Sequence, residues 1–405
     1  MKVRMPDKRP ASAGIVRPSG RWRSFDIRLV TPMLGGGVSA MERDESMPVR
    51  AASIRGQLRY WWRLLQSGID GKSLFTKERS IWGGVADTGE DHASQVILRV
   101  DCTSKPDPFP YNGIAEYALF PARKTQTTPE RKLIREGLSF RLRIACDDAL
   151  YEQHVLPALR WWLTFGGLGA RTRRGAGSLE ATGIEPVGAD EAEKVGCLLR
   201  IRERDVHDSA IDAWKAAIAL LREFRQGEGI GRAPGHASGN GPRIPGESLW
   251  PEADSIRRIA STHAIRRGDS RCPKDRAPDM SRPLAFPRAS FGLPIVFKFK
   301  DDRCGDPSQT ELMPGNGLER MASPVILTAY RKQNGRYVPA ALLLPHEHIR
   351  HISLTLKPKD QEPRNFEAGE WWSEADAERV KPLKMCKARN ALDAFMTFFH
   401  QGTCR

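Results

Sequence analysis

The sequence predicts an α+β protein whose first half is ferredoxin-like, and three observations predict it. Two segments alternate apolar and polar residues with a period of two. Two others carry apolar residues at helical spacing. Their order along the chain is strand, helix, strand, strand, helix, strand. That is the order in which an antiparallel sheet carries both helices on one face and leaves the other free to receive something.

Phe25, Ile27 and Leu29 alternate with Ser24, Asp26 and Arg28, and Leu138, Phe140, Leu142 and Ile144 alternate with Ser139, Arg141 and Arg143. A half-buried strand shows this period, with its charged face left for water or a ligand. Val96, Leu98 and Val100 make a third, shorter strand, and residues 178–186 supply a last one. Between them, residues 53–66 place Ile54, Leu58, Trp61 and Leu65 on one side of a helix. Residues 149–165 form another, which Pro157 kinks or starts.

The second half opens with a strand over 197–202. A helix follows in which Ala210, Ile211, Trp214, Ala217, Ile218, Leu221 and Phe224 line one side, with Ser209 as N-cap and Gly227 just past its end. The stretch 226–246 has seven Gly and three Pro in 21 residues and is expected to be a mobile loop. A second loop, rich in Arg and Pro, lies near 262–290. Strands are expected at 293–299, 323–330, 338–344 and 351–357, and a closing helix at 390–400.

At 405 residues and 40% hydrophobic content the chain can bury a real core, exceeds one ordinary domain and is not disordered throughout. The expected division is a flexible basic N-terminus over 1–22, a domain over 23–190 and a domain over 191–405. Lys and Arg number 64 against 49 Asp and Glu, a net charge of +15, and 46 of the 64 are Arg. Such an excess favours a polyanionic partner, and the planar guanidinium suits phosphates and stacks on bases. No run of 18 apolar residues exists and the N-terminus lacks an apolar signal core, so no membrane partner is expected. Seven cysteines, widely spaced and without a CxxC pair, fit free thiols in a reducing cytoplasm.

Two segments concentrate binding chemistry. On the 53–66 helix Arg55, Arg59 and Gln66 share one face, with Arg63 at its border, roughly 135° from the apolar stripe. Ser53 stands where an N-cap belongs, Gly56 admits another backbone at the first turn, and Arg50 precedes it. Free amides at such a turn favour phosphate. A solvated face on a core helix is the competing reading. The second segment is FGGLGARTRRGAGS, residues 165–178. Glycines 166, 167, 169, 175 and 177 surround Arg171, Arg173 and Arg174. Gly167, Gly169 and Gly175 would let the backbone lie against phosphates that the arginines neutralise. The alternative is a flexible hairpin. The spacing is not a dinucleotide fingerprint.

These segments, with LVTPMLGGG (29–37), SLWPEADSIRR (248–258), FGLPIVF (291–297) and RMASPVIL (320–327), resemble the RAMP superfamily of CRISPR-associated proteins. Within it they are most similar to the family of first subunits of Cmr (type III-B) effector complexes. The resemblance covers about 24–330. It implies two ferredoxin-like (RRM-like) domains and a non-catalytic RNA-binding subunit without cofactor. It implies a place at the filament end near the 3′ portion of the guide RNA, engaging target RNA in antiviral defence. Implied partners are guide (CRISPR) RNA, target RNA and other Cmr subunits, above all the repeating backbone subunit and the adjacent filament-end subunit. By motif, Arg55, Arg59, Arg171, Arg173 and Arg174 would face RNA; Arg50 and Arg63 are added from geometry alone.

The alternative is a RAMP endoribonuclease that processes guide RNA or cuts target RNA. Its carboxylate would be Glu42, Asp44 or Glu45 and its general base His154. A core histidine is the simpler account of His154. Gly71-Lys72-Ser73 lacks the upstream glycine of a P-loop. His346, His348 and His351 beside Glu347 do not share one face, so no metal is expected there. The pairs Trp61-Trp62 and Trp161-Trp162 suggest base stacking; Trp61 is expected in the core, while Trp62 is the stacking candidate kept.

Overall fold

The computed structural model describes residues 20–37, 44, 46–84, 92–126, 129–238, 241–260, 278–299 and 306–404. Residues 1–19, most of the stretch expected to be a flexible N-terminus, fall outside these, as do Glu42 and Glu45. In the first half β1 (Arg21–Leu29), α1 (Ala51–Leu64), α2 (Gly71–Trp82), β2 (Ile97–Cys102), β3 (Ser139–Cys146), α3 (Leu156–Phe165) and β4 (Leu179–Ala181) succeed one another. The sheet order is β2-β3-β1-β4, antiparallel throughout. Register follows the alternation: Ile27 faces Phe140 and Phe25 faces Leu142. These apolar positions and the inner faces of α1 and α3 share one core, centred on Trp61, Trp62, Trp162 and Phe165.

Pro157 is the second residue of α3, in line with its marking the start, and a π turn over Tyr151–Val155 leads into that helix. One element was not expected. Helix α2 went unforeseen because Phe75, Ile81 and Trp82 make too short an apolar pattern. Its start is the Gly71-Lys72-Ser73 segment, and the Asp70 carboxylate accepts from the Lys72 and Ser73 amides. Those amides therefore serve as a helix cap, not a phosphate cradle.

The outer face of the sheet is not bare. Arg141 pairs with Asp26 at 2.8 Å, Arg143 with Asp101 at 2.6 Å and Arg28 with Glu180 at 2.6 Å. The face expected to be free is thus laced by exposed ion pairs, and Tyr337 from the second half also donates to Glu180.

In the second half β5 (Leu198–Ile201), α4 (Ala210–Gln226), β6 (Val325–Arg331), β7 (Tyr337–Leu343) and α5 (Ala391–Gln401) form a unit with sheet order β6-β7-β5. Ser209 caps α4, as its position predicts. The strands expected near 293–299 and 351–357 belong elsewhere. Ile295–Phe297, Thr310–Pro314, Leu354–Pro358 and Arg364–Phe366 form a separate antiparallel sheet over a core of Phe286, Leu312, Leu356 and Trp371. The 226–246 stretch is threaded by backbone bonds, including Ala233 N–H to Glu247 at 2.8 Å and Leu249 N–H to Gly231 at 3.0 Å. Cys386 and Cys404 form a disulfide, which corrects the expectation of free thiols; Cys102, Cys146 and Cys197 are free. Among the described residues no helix is long and apolar enough to cross a membrane.

Candidate nucleic-acid interface

The glycine segment after α3 is a folded joint, not a flexible hairpin. Thr31–Leu34, just after β1, clasp it. Ala170 N–H donates to Leu34 at 2.7 Å, Gly177 N–H to Pro32 at 2.9 Å and the Thr31 hydroxyl to the Gly175 carbonyl at 2.7 Å. A Cβ at Gly167 would lie 2.6 Å from the Gly177 carbonyl oxygen, and one at Gly175 2.6 Å from the Trp214 ring. At Gly169 it would collide with the Leu34 carbonyl. These glycines are used up by close packing inside the protein, which replaces the expected role of admitting phosphates.

The same joint fastens the two halves. Arg173 donates to the Ser323 carbonyl and, at 3.0 Å, to the Tyr60 hydroxyl on α1. Arg174 donates to the Val325 carbonyl at 2.9 Å, and the Trp214 indole donates to the Arg174 carbonyl at 2.5 Å. Residues 165–178 and 320–327, far apart in sequence, therefore meet.

Around this joint positive charge goes unneutralised. Arg171, Arg173, Arg174, Arg225 and Arg320 have no carboxylate within ion-pair distance among the described residues. Burial pushes Arg174 down to about 10, and Arg225, Arg171 and Arg173 push in the same direction. Arg171 is lowered by burial and by Arg320. It holds a left-handed backbone at φ +65° and lies 4.8 Å from the centre of the exposed Phe120 ring. Mutual repulsion at this depth is a standing cost that an incoming polyanion would relieve.

On α1 the arginine stripe forms as expected, but a carboxylate occupies part of it. Buried Glu78 of α2 accepts from Arg59 at 2.5 Å and from Arg63 at 2.6 Å. Arg55 has no acidic partner among the described residues, and burial and Arg59 lower it. Arg50 is the N-cap residue and donates to the Gly37 carbonyl at 2.8 Å. Ser53 lies inside the first turn, so the cap expected of it is absent, and no side chain caps this end. An added Cβ at Gly56 meets nothing within 4 Å, so among the described residues no backbone outside its own helix approaches there. Tyr60, held by Arg173, joins the helix stripe to the glycine joint.

Substituting Arg59 and Arg63 together by alanine strands the Glu78 carboxylate and should cost about 3 kcal/mol of stability. Glu78→Gln should instead free both guanidinium groups and tighten RNA binding several-fold. Urea unfolding and fluorescence anisotropy with a labelled strand measure the two.

The remaining candidates resolve as structure. Trp62 is fully buried and its indole donates to His154 Nδ1 at 3.3 Å, which removes it as a stacking surface. Burial and Lys77 lower His154, a half-buried ring beside that core. Asp44 accepts from the Ser46 hydroxyl at 2.7 Å and the Met47 amide at 2.9 Å, bonds that hold its carboxyl below the ordinary range. No group of three metal-ligating side chains occurs among the described residues. Sequence reasoning missed Phe120, Arg225 and Arg320 as site members. Arg320 was visible within RMASPVIL, whereas Arg225 looked like an ordinary basic residue at a helix C-terminus.

The segment bearing β1, α1, the joint and the start of β4 can be placed among known proteins. The RAMP superfamily model matches residues 26–180. This segment is similar to a RAMP domain. A curated relative, CRISPR system Cmr subunit Cmr1-2 of Pyrococcus furiosus, is 23% identical over 177 residues, 38% of this chain and 92% of the relative. Among solved structures, apo Cmr1 from Pyrococcus furiosus aligns at TM-score 0.43 and 15% identity, over 87% of this chain and 93% of that one. A chain of the type III-B Cmr-beta complex bound to cognate target RNA and AMPPnP aligns at TM-score 0.37 and 10% identity, over 84% and 96%. In the matched segment the glycine joint is the last element before β4, and its arginines bridge to the second half.

Proposed function

We propose that the chain is a non-catalytic RNA-binding subunit of a type III-B (Cmr) CRISPR effector complex, built on two ferredoxin-like units and working in the cytoplasm. The sheet order β2-β3-β1-β4 supports the first unit, and β6-β7-β5 supports a second one with three of its four strands among the described residues. The subunit sits at the filament end near the 3′ portion of the guide RNA and helps capture target RNA against the repeating backbone subunit. The RAMP-like segment and the Cmr1-2 relative support the assignment to this complex. One observation carries the binding role: five arginines converge around the glycine joint with no carboxylate among the described residues to neutralise them. Arg171 beside Phe120, Arg225 and Arg320 bond no carbonyl among the described residues. We assign them, with Arg55 on α1, the contact to ribose-phosphate. Arg173 and Arg174 set the shape of the groove. Sequence is read by guide–target pairing, and this subunit holds backbones.

The test uses the whole chain and a labelled single-stranded RNA. Affinity should fall linearly in log–log form with salt, and the RNA should remain intact with and without magnesium. Discrete cleavage abolished by His154→Ala or Asp44→Ala would replace this reading with an endoribonuclease.

A further inference from the structure

A cavity of about 190 Å³ lies away from the glycine joint, between the separate sheet and the start of α5. Its walls include Trp371, Trp372 and Leu392, and His346, Arg350 and Glu374 stand around it. A cavity of about 150 Å³ accepts benzene, so this one is the right size for one or two fused rings. Its polar groups pair only at long range, Arg350 with Glu374 and, at 3.8 Å, with Glu347. The Trp372 indole N–H is shielded from solvent and has no acceptor among the described residues. Arg350 reaches Glu374 only at 3.5 Å and remains 59% exposed. By contrast the Trp371 indole donates to the Ile352 carbonyl at 2.9 Å, which fixes that ring as a wall.

We propose that this cavity takes a single unpaired nucleobase of an RNA strand, stacked on Trp372, with Arg350 and Glu374 reading its polar edge. An aliphatic side chain from a protein would fill the volume but give the stretched ion pair no hydrogen-bonding partner, at a cost. A base supplies a π-face for the indole and coplanar donors and acceptors for the rim. Protein recognition of unpaired RNA bases works in this way, by stacking on aromatic or guanidinium planes and bonding the base edge. Arg389 is exposed two residues before Ala391, the first residue of α5, and we assign it the adjoining phosphate. The inference rests on the RNA-binding reading above and adds a second contact point on the other half of the chain.

The test is saturation-transfer NMR of the whole chain with AMP, GMP, CMP and UMP in turn. Base protons of at least one nucleotide should receive saturation, and its Kd should weaken about tenfold in Trp372→Ala, the usual scale for losing one stacked base. Arg350→Ala, which removes an exposed side chain and leaves the fold intact, should weaken it several-fold. Absence of base saturation with all four nucleotides, or an unchanged Kd in both variants, overturns the proposal. So does uptake of N-acetyl-leucinamide in place of the nucleotides. A chain that binds an RNA strand with the expected salt dependence yet shows no base contact defeats this proposal alone. A chain that takes a base here but no strand at any salt supports the cavity and defeats the RNA-subunit reading.

Discussion

Gly177→Ala should unfold or severely destabilise the protein, by about 4 kcal/mol, the scale of combined backbone strain and overpacking. Gly177 has φ +73°, a left-handed conformation that costs an L residue about 1 kcal/mol or more. A Cβ there would also fall inside the Leu168 carbonyl, which cannot move without breaking the Leu168 N–H bond to Gly177. Gly183→Ala is the matched control, since Gly183 has φ +75° but nothing within 4 Å of the added carbon. It should cost only the strain, about 1 kcal/mol. Urea midpoints of the two variants separate the contributions. Equal losses would mean that the glycine joint is not close-packed.

The second large effect is on binding. Replacing Arg171, Arg225 and Arg320 together by alanine should weaken single-stranded RNA binding about a hundredfold at moderate salt, as charged hydrogen bonds are lost. It should flatten the log–log salt slope by about 2, because each neutralised phosphate on a single strand contributes about 0.7. Tm should not fall, since the substitution removes mutually repelling cations and no hydrogen bond to a carbonyl. Arg173→Ala with Arg174→Ala should behave differently: it cuts bonds from the joint to Ser323 and Val325, so stability drops along with affinity. Unchanged slope in the first variant would remove Arg171, Arg225 and Arg320 from the phosphate path.

Much of the first half was legible because its signals are local. The alternation at Phe25–Leu29 and Leu138–Ile144 sets both strand and register, and the 3.6-residue spacing of Ile54, Leu58 and Trp61 sets α1. What was not legible is non-local. Nothing near Arg59 or Arg63 announces that Glu78 arrives from the next helix. The clustering of Gly167, Gly169, Gly175 and Gly177 with three arginines looked like a phosphate cradle, because glycine signals close approach without saying what approaches. Here it is the chain itself, at Leu34 and Trp214. The separate sheet of 295–366 was hidden for the same reason, since strand signals do not name their pairing partners. The disulfide joins Cys386 and Cys404, and only the return of α5 brings them together.

The most direct measurement is photo-crosslinking of the whole chain to RNA carrying 4-thiouridine, followed by mapping of the crosslinked peptides. The account predicts crosslinks in the 116–123 segment that bears Phe120, in 165–178 and in α1 near Arg55. Crosslinks confined to the outer sheet face at Asp26, Asp101 and Arg141, with none at the joint, would contradict it.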